Sequence, residues 1–225
     1  MSKQDNGCGP RRGYHHGRLK DALIEAARHL VTERGPAGFT LSEAAKRVGV
    51  TAGAPYRHFT DRADLMSELA RRGFEQFSQR LERAWDEGKP DAIAAFRRMG
   101  GAYLAFAREE PGLYSAMFGN VATLSTPDSG AAADRALAAI RNAAAAILRQ
   151  HGASDAGARD LAFQIWAYSH GVAMLAVSGH LNPAHDADPT RILEEGARNL
   201  VEMSIRRALA GAPAPPPSPW GRPAT

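Results

Sequence analysis

The amino-acid sequence predicts an all-α protein, a short N-terminal helical unit followed by a larger helical remainder. Apolar residues recur at helical spacing through most of the 225-residue chain, and no segment alternates apolar and polar residues as a half-buried strand does. Gly and Pro stand between the periodic segments, at Gly35-Pro36, Gly88, Pro111, Pro127, Gly152 and Pro183. A hydrophobic content of 44% over this length suffices for a sizeable core in one large or two modest domains.

The opening stretch, MSKQDNGCGPRRGYHH, holds Gly, Pro and charge but no apolar run, so it reads as neither a signal peptide nor a core element. It is expected to form a mobile arm. Arg11 and Arg12 in it could reach a minor groove or flanking phosphates, or have no role. Cys8 is the only cysteine, which excludes an intramolecular disulfide and a cysteine-rich metal site and fits a reducing cytoplasm.

A first helix follows in RGYHHGRLKDALIEAARHLVTERG, with Leu19, Leu23, Ala26, Ala27, Leu30 and Val31 at helical spacing and a stop at Gly35-Pro36. The next stretch, TLSEAAKRVGVTAGAPYRHF from Thr40 to Phe59, reads as two short helices around a tight turn. Ser42 is the expected N-cap of the first, Ala44, Ala45 and Val48 its inner side, and Gly49 the residue that takes positive φ at the turn. Thr51 is the expected cap of the second. There, Ala52, Gly53 and Ala54 are small enough for close approach to a groove floor, while Tyr56, Arg57 and His58 can bond phosphates or base edges. Pro55 lacks an N–H and fits only in a first turn, so this reading helix must be short. Ordinary amphipathic packing would give the same pattern, and the pattern alone leaves both readings open.

The segment TDRADLMSELARRGFEQF opens a long helix with Asp61 as expected N-cap and Arg62 in its first turn, a position suited to an anion. Charge agrees with a nucleic-acid partner. Residues 1–62 hold eleven Lys/Arg against six Asp/Glu, whereas residues 63–225 hold seventeen against eighteen, so the whole positive excess of the +4 chain lies at the N-terminal end.

These residues resemble the TetR family of transcription regulators. The resemblance rests on Ala26-Ala27 in the first helix, Gly49 at the turn, Tyr56 with Phe59 in the reader and the basic Arg62 opening the next helix, and it covers about residues 14 to 66. The family commonly has a larger aliphatic residue at Ala44, Thr or Ser at Ala54, and Lys at Arg62; the change at Ala54 removes a hydroxyl that often touches DNA. The resemblance implies a three-helix helix-turn-helix domain over residues 14–62 and a helical ligand-binding and dimerisation domain over 63–210, with tails at 1–13 and 211–225.

Helices are expected in that remainder at about 61–87, 90–109, 111–118, 129–151, 155–181 and 189–210, and the end, GAPAPPPSPWGRPAT, reads as an extended tail. No charged residue lies between Asp160 and Asp186. A membrane span is one reading of that stretch, but Gln164, Ser169, His170, Ser178 and His180 spread around it favour a helix buried on two sides. The family resemblance makes it a pocket-lining and subunit-pairing helix, and Trp166 with His170-Gly171 resembles a subgroup of the family with these residues in its C-terminal domain. Trp166 and His170 are one turn apart on one face, extended by Phe163 and Met174. With Phe106, Met117 and Phe118 from earlier helices as opposite walls, they are the expected contacts of a small apolar or aromatic effector; ordinary core packing is the alternative.

The last helix shows Leu193, Ala197, Leu200, Val201, Ser204 and Ala208 on one face and is expected to pair across a two-fold axis or to cover its own core. No phosphate loop or nucleophile elbow occurs, so no enzyme activity and no cofactor are expected. His180, His185, Asp186 and Asp188 form a loose cluster across Pro183 without the spacing of a zinc site. The expectation is a cytoplasmic homodimeric repressor that binds an inverted repeat in double-stranded DNA and is released by a small molecule. Control by a protein partner and a ligand-binding enzyme are the rivals.

Overall fold

The structure, a computed structural model, describes residues 15–119, 127–182, 184 and 187–211. The expected N-terminal arm with Cys8, Arg11 and Arg12, the proline-rich end, and His185 and Asp186 of the loose acidic cluster lie outside the described residues.

Among the described residues there are helices and no strands: α1 His15–Arg34, α2 Leu41–Arg47, α3 Arg62–Trp85, α4 Ala92–Glu109, α5 Pro111–Phe118, α6 Pro127–Gln150, α7 Ala158–Val177 and α8 Pro189–Leu209. Short 3-10 turns stand at Ala54–Arg57, Asp86–Gly88 and Asp155–Gly157. The expected all-α class holds. The largest difference in extent is α7, which ends at Val177 rather than 181. Gly179 takes φ +79 and the His180 N–H returns to the Leu175 carbonyl at 2.9 Å, closing the helix with a left-handed glycine. No described helix is long and apolar enough to cross a membrane.

The chain divides into two compact units, Met1–Gly73 with Gly112–Ser129 and Phe74–Pro111 with Gly130–Thr225. Helix α3, which begins at the boundary expected at residue 62, is divided between the two units after Gly73, and α5 from Gly112 on belongs to the N-terminal unit. In that unit, Leu23, Ala27 and Leu30 of α1 are buried with Phe39, Leu41, Ala44 and Ala45, and with Phe59, Leu65 and Leu69. Close approach of α5 to α1 requires Gly112, since a Cβ there would lie 2.3 Å from the Arg28 carbonyl oxygen.

In the second unit α7 packs against α8 and α4, and α4 packs against α8. Its buried side chains include Phe77, Leu81, Met99, Tyr103, Phe106, Ile147, Leu161 and Val172. Phe77 lies edge-on to Tyr103 at 4.9 Å between ring centres. Asp91 caps α4 by accepting from the Ala94 N–H at 2.9 Å, and Asp188 caps α8 from the Thr190 N–H at 2.9 Å.

Candidate nucleic-acid interface and ligand cavity

Thr40, not Ser42, caps α2. The Glu43 N–H donates to Thr40 Oγ1 at 3.2 Å and the Thr40 N–H donates to Glu43 Oε2 at 2.8 Å, a reciprocal capping box. Ser42 is followed three residues later by Ala45, which has no such oxygen, so Ser42 sits inside the helix and is exposed. The Thr-x-x-Glu pattern was legible in the sequence. At the far end Gly49 has φ +75, as the turn requires, and the Val50 N–H donates to the Ala45 carbonyl at 3.0 Å.

The second element is a 3-10 turn, Ala54–Arg57, rather than an α-helix, and it has no side-chain cap. Thr51 contributes only its carbonyl, which accepts from the Ala54 N–H at 3.0 Å. Pro55 stands at the start of the turn, where its missing N–H costs nothing, and its carbonyl accepts from both His58 and Phe59 at 2.9 and 3.0 Å. Pro55 and Phe59 are buried, which turns the rest of the loop outward: Thr51, Ala52, Gly53, Tyr56 and Arg57 are exposed, while Ala54 and His58 are half-buried. Tyr56 is 60% exposed, an unusual position for an aromatic ring without a partner surface.

Charge is sorted around this turn. Arg34 pairs with Glu43 at 2.8 Å and Arg47 with Glu33, and Lys20 lies 5.8 Å from the centre of the Phe59 ring. Arg57 is exposed and has no ion pair among the described residues. Arg62 opens α3, and Asp61 caps it by accepting from the Asp64 N–H at 2.8 Å, as expected. The Arg62 guanidinium turns inward, however: Nη1 donates to the Pro36 carbonyl, and the group lies 5.6 Å from the centre of the Phe39 ring. Deeper in α3, bonds from Arg71, with Arg72 adding, hold the Glu68 carboxyl down to about 2 against the opposing effect of burial, and Arg72 reaches Asp21 of α1 at 2.7 Å.

The second unit contains a cavity of about 320 Å³ between α4, α7 and α8, with Leu81 of α3 and Ile140 and His151 of α6 at its sides. Phe96, Met99 and Tyr103 form one wall, Ile165 and Ser169 another, and Leu193, Ala197 and Val201 a third. Charged residues at the cavity are partly matched to one another, Arg97 with Glu194 at 3.2 Å, and Glu202 with Arg206 at 3.6 Å.

None of the seven expected effector contacts lines this cavity. Phe106 is fully buried, its ring 5.2 Å from Phe77 and overlain by the Arg80 guanidinium at 5.2 Å. Met117 belongs to the N-terminal unit, pressed so close to α3 that a Cβ on Gly73 would meet its Cγ at 2.8 Å. Phe118 sits against Tyr114 at 4.9 Å in the same unit. Phe163, Trp166, His170 and Met174 do share one side of α7, with Phe163 and Trp166 rings 6.3 Å apart, but Phe163 is 40% and Met174 44% exposed. His170 is half-buried, and loss of solvent pushes its imidazole pKa down.

The physical reason is rotation by one residue. Ile165 and Ser169 precede Trp166 and His170 by one position each, about 100° around the helix, and that step moves the cavity to the other side of α7. The signal for it was Ser169, the single hydroxyl in the buried stripe of Leu161, Ile165, Ser169 and Val172. Likewise Leu193 and Val201 of α8 are buried in their own unit, leaving Met203 and Leu209 exposed. Among the described residues no group of His, Cys, Asp and Glu could hold a metal, and His180 Nδ1 is 2.8 Å from Ser178 Oγ.

Comparison with known proteins fits both halves. Residues 23–69 match the family of bacterial regulatory proteins of the tetR type, and residues 96–200 match the tetracyclin repressor-like C-terminal domain. Over 103 residues the chain is 33% identical to the nucleoid occlusion factor SlmA of Vibrio cholerae, covering 46% of this chain and 52% of SlmA. It is 43% identical over 47 residues to the HTH-type transcriptional regulator AcrR of Shigella flexneri, 21% of this chain and 22% of that one. The chain spans about half the length of the first of these relatives. A solved structure of a protein of unknown function from Rhodococcus sp. RHA1 superposes with a TM-score of 0.72 at 28% identity, over 86% of this chain and 98% of that one. With both domain matches in chain order on an all-helical frame, the chain belongs to the TetR family of transcription regulators, DNA-binding proteins that are not enzymes.

Proposed function

We propose that this regulator is a homodimeric repressor that grips an inverted-repeat operator with the loop from Thr51 to His58 and lets go when a small, mostly apolar molecule fills the α4–α7–α8 cavity. The observation that carries the DNA half is the outward presentation of Tyr56 and Arg57 from a turn whose other side, Pro55 and Phe59, is buried. Tyr56, Arg57 and His58 act at phosphates, and Thr51, Ala52, Gly53 and Ala54 pass close to base edges. Ser42, exposed on α2, touches the flanking backbone in this reading. The subunits pair through the exposed apolar side of α7, Phe163 and Met174, with Met203 of α8.

Two reading turns related by a two-fold axis address half-sites about one helical turn, roughly 34 Å, apart or somewhat more. An electrophoretic mobility shift on the DNA upstream of its own gene, scanned for an inverted repeat, tests the proposal. Specific retardation that survives competitor DNA is the expected result, and binding indifferent to sequence would refute it. A second reading is a constitutive DNA-binding protein that a protein partner, and no small molecule, regulates. Release of operator by a small molecule with no other protein present separates the two.

A further inference from the structure

Ser169 is 4% exposed, lines the cavity, and its hydroxyl makes no hydrogen bond with any described residue. A buried hydroxyl in mid-helix ordinarily bonds back to the preceding turn or to a neighbour, since leaving it unpaired is costly. Around it the walls are apolar, from Leu81, Phe96, Met99 and Ile165. We propose that Ser169 is the specificity anchor of the cavity, and that the effector is an uncharged apolar molecule carrying a hydroxyl or carbonyl oxygen that bonds to Ser169 Oγ. This rests on the reading of the cavity as the effector site.

The volume, about 320 Å³, is at the small end for such sites and holds on the order of ten water molecules, so a compact ring system or a short chain fits. The charges at the cavity argue for a neutral ligand. The lining carries Arg97 and Arg198 against Glu194 and Glu202, with Arg97 paired to Glu194, so its charges balance and offer no net attraction to an ionised ligand. A hydroxyl on Ser169 both donates and accepts, so alcohols, phenols and ketones are all admitted, whereas a pure hydrocarbon leaves it unpaired.

The probes are matched pairs, naphthalene with 2-naphthol and propylbenzene with 4-propylphenol, together with 2-naphthoate. Their binding to the full-length protein is measured by calorimetry and by shift of the melting temperature. In the wild type the oxygenated member of each pair binds roughly three- to tenfold tighter than its hydrocarbon. Ser169→Ala abolishes that preference while binding the hydrocarbons at least as well, and Ser169→Thr, which keeps the hydroxyl, retains part of it. Ser169→Ala without ligand melts no lower than the wild type, because no internal bond is lost. Equal binding within pairs, a preference that survives in Ser169→Ala, or tighter binding of 2-naphthoate than of 2-naphthol overturns the anchor and leaves the cavity as a site. Failure of every probe to bind overturns the cavity reading as well.

Discussion

Arg62 and Pro36 are joined by a hydrogen bond from the Arg62 guanidinium Nη1 to the Pro36 carbonyl, with the Phe39 ring beneath the cation. The bond ties the first turn of α3 to the loop between α1 and α2, across the reading turn that lies between them in sequence. Arg62 thus braces the N-terminal unit through Pro36 and Phe39.

Arg62→Ala is therefore expected to destabilise the protein by about 1.5 to 3 kcal/mol, the usual worth of a charge-assisted bond to a carbonyl. Operator affinity should fall while the dependence of log K on log salt stays nearly parallel to wild type. Urea unfolding and salt-titrated mobility shifts check both parts, and a slope reduced by about one unit would return Arg62 to the phosphates.

Arg57 should behave in the opposite way. It is exposed and has no ion pair among the described residues, so Arg57→Ala should leave unfolding unchanged within about 0.5 kcal/mol. Binding to all DNA sequences should weaken alike, with a salt slope smaller by about one unit. Tyr56→Ala should also weaken binding without loss of stability, its ring being 60% exposed.

Acid stability should depend on Glu68, whose carboxyl is held at about 2 by Arg71 and Arg72. Because the folded value lies below the unfolded one, its contribution is complete above the ordinary carboxylate pKa of about 4.3 and disappears as pH falls toward 2. The contribution is on the order of 2 to 3 kcal/mol at neutral pH. Glu68→Gln should remove it and flatten the fall in stability between pH 4.5 and 2, measured by urea midpoints across that range.

Two glycines within helices should respond to alanine with opposite signs. A Cβ on Gly101 of α4 meets nothing within 4 Å, so Gly101→Ala should stabilise by roughly 0.5 to 1 kcal/mol through helix propensity. In α8 a Cβ on Gly196 would lie 2.2 Å from the Tyr168 ring, which its hydroxyl pins to the Ile192 carbonyl at 2.9 Å. Gly196→Ala should cost about 1 to 3 kcal/mol or more, read from the denaturant midpoint.

Subunit pairing should fail when the outer side of α7 is charged. Phe163→Glu combined with Met174→Glu places carboxylates at two positions now 40% and 44% exposed, so the isolated chain should still fold. Sedimentation should show a monomer at micromolar concentration, and affinity for an inverted repeat should drop far more than affinity for a half-site. A dimer of wild-type stability would place the interface elsewhere.

Local rules in the sequence determined much of this protein. Helical periodicity and the Gly and Pro breaks located α1 and the six long and short helices from α3 to α8 within a few residues, because each follows from neighbours three and four positions apart. Gly49 at positive φ, Asp61 as a cap and Pro55 in a first turn followed from single-residue stereochemistry. The tertiary structure decided what depends on distant partners. Whether His170 or Ser169 faces the cavity is a rotation of about 100°, settled by the packing of α4 and α8 on α7. Arg62 turns inward because Pro36 and Phe39, distant in sequence, are folded beside it. Met117 leaves the expected pocket because Gly73 lets α5 settle on α3 in the N-terminal unit. Periodicity shows that a helix has an apolar side; only the competing volumes and charges of its neighbours decide which part is filled, which stays hollow and which awaits another subunit.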